Sequence, residues 1–325
     1  MTTQTITKPA RQFQAPEHGL LPQYKLDRMQ NAQYRLVGHH SAVKICHWCK
    51  IGLRGEGSCY KDTFYGIDTN RCLEMSPAIL CNQRCSYCWR DTAIFAPKWK
   101  GIIDNPKFIL EESLKVRKEL LIGFRGNKEI DKKLLEQSIN PNHAAISLTG
   151  EPCMYPRLHE LVDEFFKHDF KTVYVVTSGT VPEMLEKFYV YPTNLYISLD
   201  STNKKEHIEI CKPVIKDSWE KLNESLDLMR TKFRGKTRRI LRITVIRGLN
   251  DSKPEAFVPL IEKAQPDFVE VKSYMWIGYS RERLGKKNMP EHWEIREFAK
   301  KIEDNSDYKI KDERTDSRVV LLKRN

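Results

Sequence analysis

After Cys88, short apolar runs alternate with longer amphipathic stretches to the end of the chain, and that alternation restricts the fold more than any other feature. The runs "HAAISLTG" (143–150), "KTVYVVTSG" (171–179), "TNLYISLDS" (193–201), "RRILRITVIRG" (238–248) and "DFVEVKSYMWIG" (267–278) have the length and β-branched content of buried strands. Between and around them lie "FILEESLKVRKELLIGF", "LHELVDEFFKH", "PEMLEKF", "SWEKLNESLDLMRTKF", "EAFVPLIEKA" and "EHWEIREFAKKIED", whose apolar residues recur at helical spacing. Strands that are apolar throughout, each followed by a helix, predict parallel βα units in an α/β fold. With one strand just ahead of Cys81 the units number six, and "YKIKDERTDSRVVLLKR" reads as a closing hairpin over residues 306–325.

In such a sheet or barrel the chemistry gathers at the carboxyl ends of the strands. Those ends read "LCNQRC", "LTGEP", "TSGT", "LDST", "VIRGLND" and "YMWIGYS", polar and glycine-bearing. The first carries the most specific signal. "CNQRCSYCWR" (81–90) places Cys81, Cys85 and Cys88 within eight positions. A structural zinc is closed by four ligands, and no fourth Cys or His sits close downstream. Soft thiolates also select copper(I) and iron–sulfur clusters, and a four-iron cluster held by three cysteines keeps one iron open.

Seven of the nine cysteines fall between Cys46 and Cys88. The count is odd, and the first twenty residues are polar and lack the apolar core of a secretory signal. Clustered thiols of this kind read as metal ligands in a reducing cytoplasm rather than as disulfides. No apolar run reaches the roughly 18 residues of a membrane span. Residues 1 to about 40 are polar and rich in Gln and Pro and read as an arm. Residues 41–80 read as a small irregular region held by a metal rather than by a core. Lys and Arg outnumber Asp and Glu by 55 to 43, a formal charge of +12, which points to an anionic partner such as nucleic acid. "PKWKG" (97–101), "KFRGKTRRI" (232–240) and "SRERLGKKN" (280–288) interleave the cations with Trp, Phe or Gly.

The Cys81-x3-Cys85-x2-Cys88 spacing, with Tyr87 before the last cysteine and six βα units, resembles the signature of the radical S-adenosylmethionine superfamily. The resemblance implies a partial (β/α)6 TIM-like barrel of the radical SAM type, with an N-terminal cysteine-rich iron–sulfur extension. It implies S-adenosyl-L-methionine chelated to the open iron. Gly150 and Glu151 of "LTGEP" correspond to the glycine-rich element near the methionine amino group, with Gly150 letting backbone approach the ligand and Glu151 accepting from its ammonium. Tyr87 and Ser198 join them as expected cofactor contacts.

The segment "KICHWCKIGLRGEGSCYKDTFYGIDTNRCLEMSP" and the stretches "HSAVKIC", "CYK", "SLTGEP" and "VEVKSYMWIGYSRERL" resemble the tRNA 4-demethylwyosine synthases, over residues of about 40 to 300. That family implies a second [4Fe-4S] cluster on Cys46, Cys59 and Cys72. It implies a carbon–carbon lyase that joins N1-methylguanosine-37 of tRNA-Phe to carbons 2 and 3 of pyruvate. The pyruvate is held at the second cluster or as an imine on Lys61. An external donor of ferredoxin or flavodoxin type, a monomeric state and a cytoplasmic location complete the expectation. The chain departs from the family in Cys49, a fourth cysteine of that region, which is expected to be a bystander; Cys153 and Cys211 read as buried apolar residues. The expected organisation is an arm and auxiliary-cluster region over 1–75, a radical SAM core over 76–305 and the hairpin. Two alternatives stand beside it: another radical SAM enzyme acting on RNA or peptide, and a zinc-stapled RNA-binding module without catalysis.

Overall fold

The computed structural model describes residues 21, 23–90 and 94–325; residues 1–20 of the expected arm lie outside the described residues, and its second half is no arm but a packed helix and strand, with Leu26, Met29, Tyr34 and Val37 buried. Twelve strands occur among them: β1 (Arg35–Val37), β2 (Ser41–Lys44), β3 (Cys72–Ser76), β4 (Leu80–Cys81), β5 (Ile94–Phe95), β6 (His143–Ile146), β7 (Thr172–Thr177), β8 (Asn194–Ser198), β9 (Arg238–Val245), β10 (Phe268–Ser273), β11 (Tyr308–Arg314) and β12 (Val319–Arg324). Ten of them form one sheet in the order β1-β2-β3-β6-β7-β8-β9-β10-β12-β11. The six central strands, β3 and β6 to β10, are all parallel and stand in chain order. That is the order of a (β/α) barrel built from right-handed crossovers. Antiparallel β2 and β12 flank the six, so the barrel is partial.

The helices are α1 (Gln23–Asn31), α2 (His47–Leu53), α3 (Tyr60–Tyr65), α4 (Pro106–Ile122), α5 (Lys132–Ser138), α6 (Leu158–Lys167), α7 (Pro182–Glu186), α8 (Lys204–Cys211), α9 (Ser218–Thr231), α10 (Val258–Ala264) and α11 (His292–Asp304). Their starts follow ordinary capping chemistry. Asn105 Oδ1 accepts from the Lys107 amide at 2.9 Å with Pro106 opening α4. α6 buries Leu158, Leu161, Val162 and Phe165, a single helical face.

The pleat separates two environments. One face of the parallel strands carries Leu73, Met75, Ala144, Ile146, Val173, Val175, Leu195, Ile197, Leu241, Ile243, Val269 and Val271, all in the main core with the outer helices. The residues between them point to the concave side and are mostly polar or aromatic: Glu74, Ala145, Tyr174, Tyr196, Ser198, Arg242, Thr244, Glu270 and Lys272. These strands are therefore apolar on one face only. Residues 41–80, expected to be irregular, are ordered by packing against the sheet. They carry two strands of the main sheet and the helices α2 and α3, and Val43, Leu73, Met75, Ala78 and Leu80 belong to the main core. The sheet runs unbroken across residues 75 and 76, because β3 spans that boundary.

The short helix α3 plugs the concave side. Tyr65 Oη donates to Glu270 at 2.7 Å and its ring meets those of Tyr174, Tyr196 and Phe268. Tyr196 Oη donates to the same carboxylate at 2.9 Å, and Arg242 Nε lies 3.2 Å from it. Glu270 is fully buried, so these donors are what allow a charge there.

Candidate active site

Four of the six cysteines of the two triads occupy the end of an element. Cys46 caps α2, Cys59 caps α3, and Cys72 opens β3. Cys81 closes β4, and Cys85 and Cys88 lie in the loop behind it. All six line a single cavity of about 1200 Å³, which reaches from Cys72 at the start of β3 to the loop that carries Cys85 and Cys88. Lys61, Tyr87, Gly150, Glu151 and Ser198 line it too, so every residue singled out in the sequence opens onto the same space. Cys49, Cys153 and Cys211 do not; they are buried in apolar clusters.

Burial sets the thiol chemistry. It pushes the Cys46 and Cys81 thiols well above their ordinary range, and neighbouring acids and thiols push the same way. Cys72 is driven up to about 12, with the Lys61 charge opposing. Such thiols ionise when a cation takes the place of the proton. Three thiols per set, with no further cysteine on the cavity wall, suit a soft cluster with an open position. Among the described residues no three His, Cys, Asp or Glu side chains, those of the two triads included, stand close enough together to hold a single metal ion.

The loop around Cys81 to Cys88 is braced from several elements. Tyr87 Oη donates to Asp200 Oδ2, and Asp200 also accepts from the Thr244 amide at 2.7 Å. Burial pushes the Asp200 carboxyl above its ordinary range. Arg283 donates to the carbonyls of Ser86 and Cys88. Tyr279 N donates to Trp89 O at 3.1 Å, and a side chain at Gly278 (φ +55°) would meet that same oxygen at 2.3 Å. The stretch "YMWIGYSRERL" thus clamps the cysteine loop.

Gly150 and Glu151 take roles in the frame. A Cβ on Gly150 would lie 2.0 Å from Ala78 O and 2.6 Å from Leu80 O, so the close approach it permits is to the chain's own backbone. Glu151 accepts from Cys153 N (2.9 Å), Thr177 Oγ1 (2.6 Å), Ser178 N (2.8 Å) and Ser178 Oγ (2.7 Å). A carboxylate offers about four acceptor positions, and protein donors fill them here. Ser198 stands in register with Arg242 on the next strand.

Lys61 is 8% exposed, with Nζ 4.9 Å from the Tyr174 ring centroid and 5.4 Å from that of Tyr196. Among the described residues no carboxylate pairs with it. Lys272 and Arg242 share the cavity wall. Burial, with Arg242 beside it, lowers Lys272 to about 8. Lys272 and Glu270 escaped the sequence reading. Their signal was present in "DFVEVKSY": a charge inside a strand otherwise built for burial. At the mouth, guanidinium–ring pairs recur, Arg90 3.6 Å over Trp89, Arg28 4.4 Å over Tyr279 and Arg84 5.4 Å from Phe95. Of the basic runs, 280–288 reaches this mouth through Glu282 and Arg283. The run 232–240 instead precedes and enters β9 at its amino end, away from the mouth, with Arg239 paired to Asp267.

Comparison with known proteins agrees with this geometry. Residues 75–261 match the radical SAM superfamily, and residues 263–324 match a family described as wyosine base formation. The chain is 44% identical over 310 residues to the S-adenosyl-L-methionine-dependent tRNA 4-demethylwyosine synthase of Pyrococcus horikoshii, covering 94% of this chain and 90% of that protein. It is 39% identical to the protein of the same name from Methanocaldococcus jannaschii, covering 92% and 94%. A solved structure of TYW1 with a lysine–pyruvate adduct bound superposes with a TM-score of 0.83 at 37% identity, covering 94% of this chain and 96% of that one. Among the described residues no helix is long and apolar enough to cross a membrane.

Proposed function

The chain belongs to the family of S-adenosyl-L-methionine-dependent tRNA 4-demethylwyosine synthases, and on that premise we propose that it joins N1-methylguanosine-37 of tRNA-Phe to pyruvate as a carbon–carbon lyase. It is a radical S-adenosylmethionine enzyme of wyosine-base formation. One observation carries the finer reading: the Lys61 amine, without a carboxylate partner among the described residues, opens onto the same cavity as both cysteine triads.

In this reading Cys81, Cys85 and Cys88 would hold one [4Fe-4S] cluster, beside which S-adenosylmethionine would bind, and Cys46, Cys59 and Cys72 would hold a second. Bound there, the first cluster supplies the reducing electron for cleavage of the cofactor. Lys61 is the residue that meets pyruvate. Its neutral amine adds to the keto carbon and water leaves, giving an imine; the adduct bound in the related TYW1 structure supports this choice. Arg242 and Lys272 supply positive charge for the keto acid's carboxylate. Tyr87, held by Asp200, fixes the cysteine loop. Glu151, filled by protein donors, ties the loop after β6 to the end of β7. Arg84, Trp89 and Phe95 at the mouth suit phosphates and an extruded base. The enzyme works as a cytoplasmic monomer fed by a ferredoxin or flavodoxin type donor.

The test is mass spectrometry of tRNA-Phe carrying N1-methylguanosine after anaerobic incubation with reconstituted protein, S-adenosylmethionine, dithionite and pyruvate. 4-Demethylwyosine is expected from the wild type and none from Lys61→Ala, with iron unchanged at about eight per chain. Borohydride and labelled pyruvate are expected to fix label on Lys61. Product from Lys61→Ala at the wild-type rate would remove that residue from the chemistry.

A further inference from the structure

Arg117, on α4, is completely buried. Its Nη2 donates to Asn70 O at 2.8 Å and lies 3.9 Å from Cys49 Sγ. Among the described residues its Nε and Nη1 have no partner and no carboxylate forms an ion pair with it. A guanidinium does not escape burial by losing its proton. A charge in this position has to be balanced from beyond its own contacts.

The two groups it touches lead to one place. Asn70 stands two residues before Cys72. Cys49 donates its amide to Cys46 Sγ at 3.3 Å, and its thiol points to Asn70 O at 3.6 Å. Arg117 therefore sits directly behind the wall that presents Cys46 and Cys72 to the cavity. Its charge is felt at Cys72, whose ionised form it favours. Three thiolates on a four-iron core are net anionic, and reduction adds one more negative charge. We propose that Arg117 is the buried counter-charge of the group held by Cys46, Cys59 and Cys72, stabilising that group when bound and most of all when reduced. The role explains why α4 keeps an ion with no carboxylate near it. It also gives Cys49 a use without ligation, as the polarisable contact between the guanidinium and Cys46. The inference rests on the two-cluster reading above.

The test compares Arg117→Met and Arg117→Lys in two settings, each in the full chain. With both triads loaded, Arg117→Met is expected to melt below its parent and to lose iron faster under chelator. In a Cys46→Ser, Cys59→Ser, Cys72→Ser background the same substitution is expected to be neutral or stabilising, because the charge it removes has no counter-ion there. In a Cys81→Ala, Cys85→Ala, Cys88→Ala background, a redox titration followed by electron paramagnetic resonance reads the remaining group alone. Arg117→Met is expected to move its midpoint to more negative potential, and Arg117→Lys to stay near the parent. An equal loss of stability in both settings, or an unmoved midpoint, overturns the inference and makes Arg117 a brace for the 70–72 turn. A wild-type chain that binds only about four irons after reconstitution overturns the two-cluster reading itself, and this inference with it.

Discussion

Replacing Gly150 by alanine isolates what the "LTGEP" turn contributes. Two effects act at that position. The first is conformational: at φ +69° an L side chain sits in the left-handed region, at a cost of about 1–2 kcal/mol. The second is steric. The new Cβ would stand 2.0 Å from Ala78 O and 2.6 Å from Leu80 O. Both are backbone atoms of the stretch that leads into Cys81, so neither can swing aside as a side chain would. Forcing a methyl group into packed structure costs about 1–3 kcal/mol more. Gly235 provides the comparison, since it has φ +73° and nothing within 4 Å of its missing Cβ. Gly235→Ala should therefore cost only the first amount, and Gly150→Ala about 2–5 kcal/mol in urea unfolding. The strain falls on a stretch tied by Glu151 N to Leu80 O at 2.8 Å, so iron loading through Cys81 should drop as well. Equal unfolding midpoints for the two variants, with full iron in both, would falsify the steric argument.

Two further perturbations probe buried polar groups. His207 is 2% exposed, and burial holds its imidazole at about 4, below the ordinary value near 6.5. The unfolded chain therefore takes the proton first: stability is full above about pH 6.5 and is lost as pH falls toward about 4, by about 3 kcal/mol from that shift. Melting temperatures between pH 4.5 and 7 should fall less steeply for His207→Gln than for the wild type, and parallel curves would count against the assignment. At Glu270, Glu270→Gln leaves Arg242 without its carboxylate and should cost about 3 kcal/mol, whereas Tyr65→Phe, which removes one donor, should cost about 1 kcal/mol. Urea midpoints that place the two variants together would show that the charge at Glu270 is not what holds α3.

The order and type of the core elements could be read from periodicity because each βα unit is local. A run such as "KTVYVVTSG" becomes β7 and "LHELVDEFFKH" becomes α6 through contacts that every parallel sheet of this kind repeats. The cysteine motif was legible for the same reason, since its three residues lie on one loop. The region before it was not. α2 and α3 span seven and six residues, too short to display a period, and β1 and β2 gain their place only by pairing onto β3. Glycine at 150 is legible as a special position, but its close approach to the backbone of residues 78–80 is not, because tertiary structure alone brings that stretch there.

The concave face shows why local reading stops where the chemistry starts. Alternation along β8, β9 and β10 puts Tyr196, Arg242, Glu270 and Lys272 on one side of the sheet and Leu195, Leu241, Val269 and Val271 on the other. Seen one strand at a time, Glu270 is an acid in a hydrophobic run, an unfavourable choice. Seen across the register it faces Arg242, and α3 brings Tyr60 and Tyr65 to it. The acid is tolerable only because α3 is there, and α3 is where Cys59 and Lys61 reside. Folding the barrel thus carries the lysine and a cysteine of one triad into the cavity that the other triad also lines. The polar residues that break the strand pattern are the ones that fasten this arrangement, so a charge inside an apolar parallel strand marks the inner wall of the site.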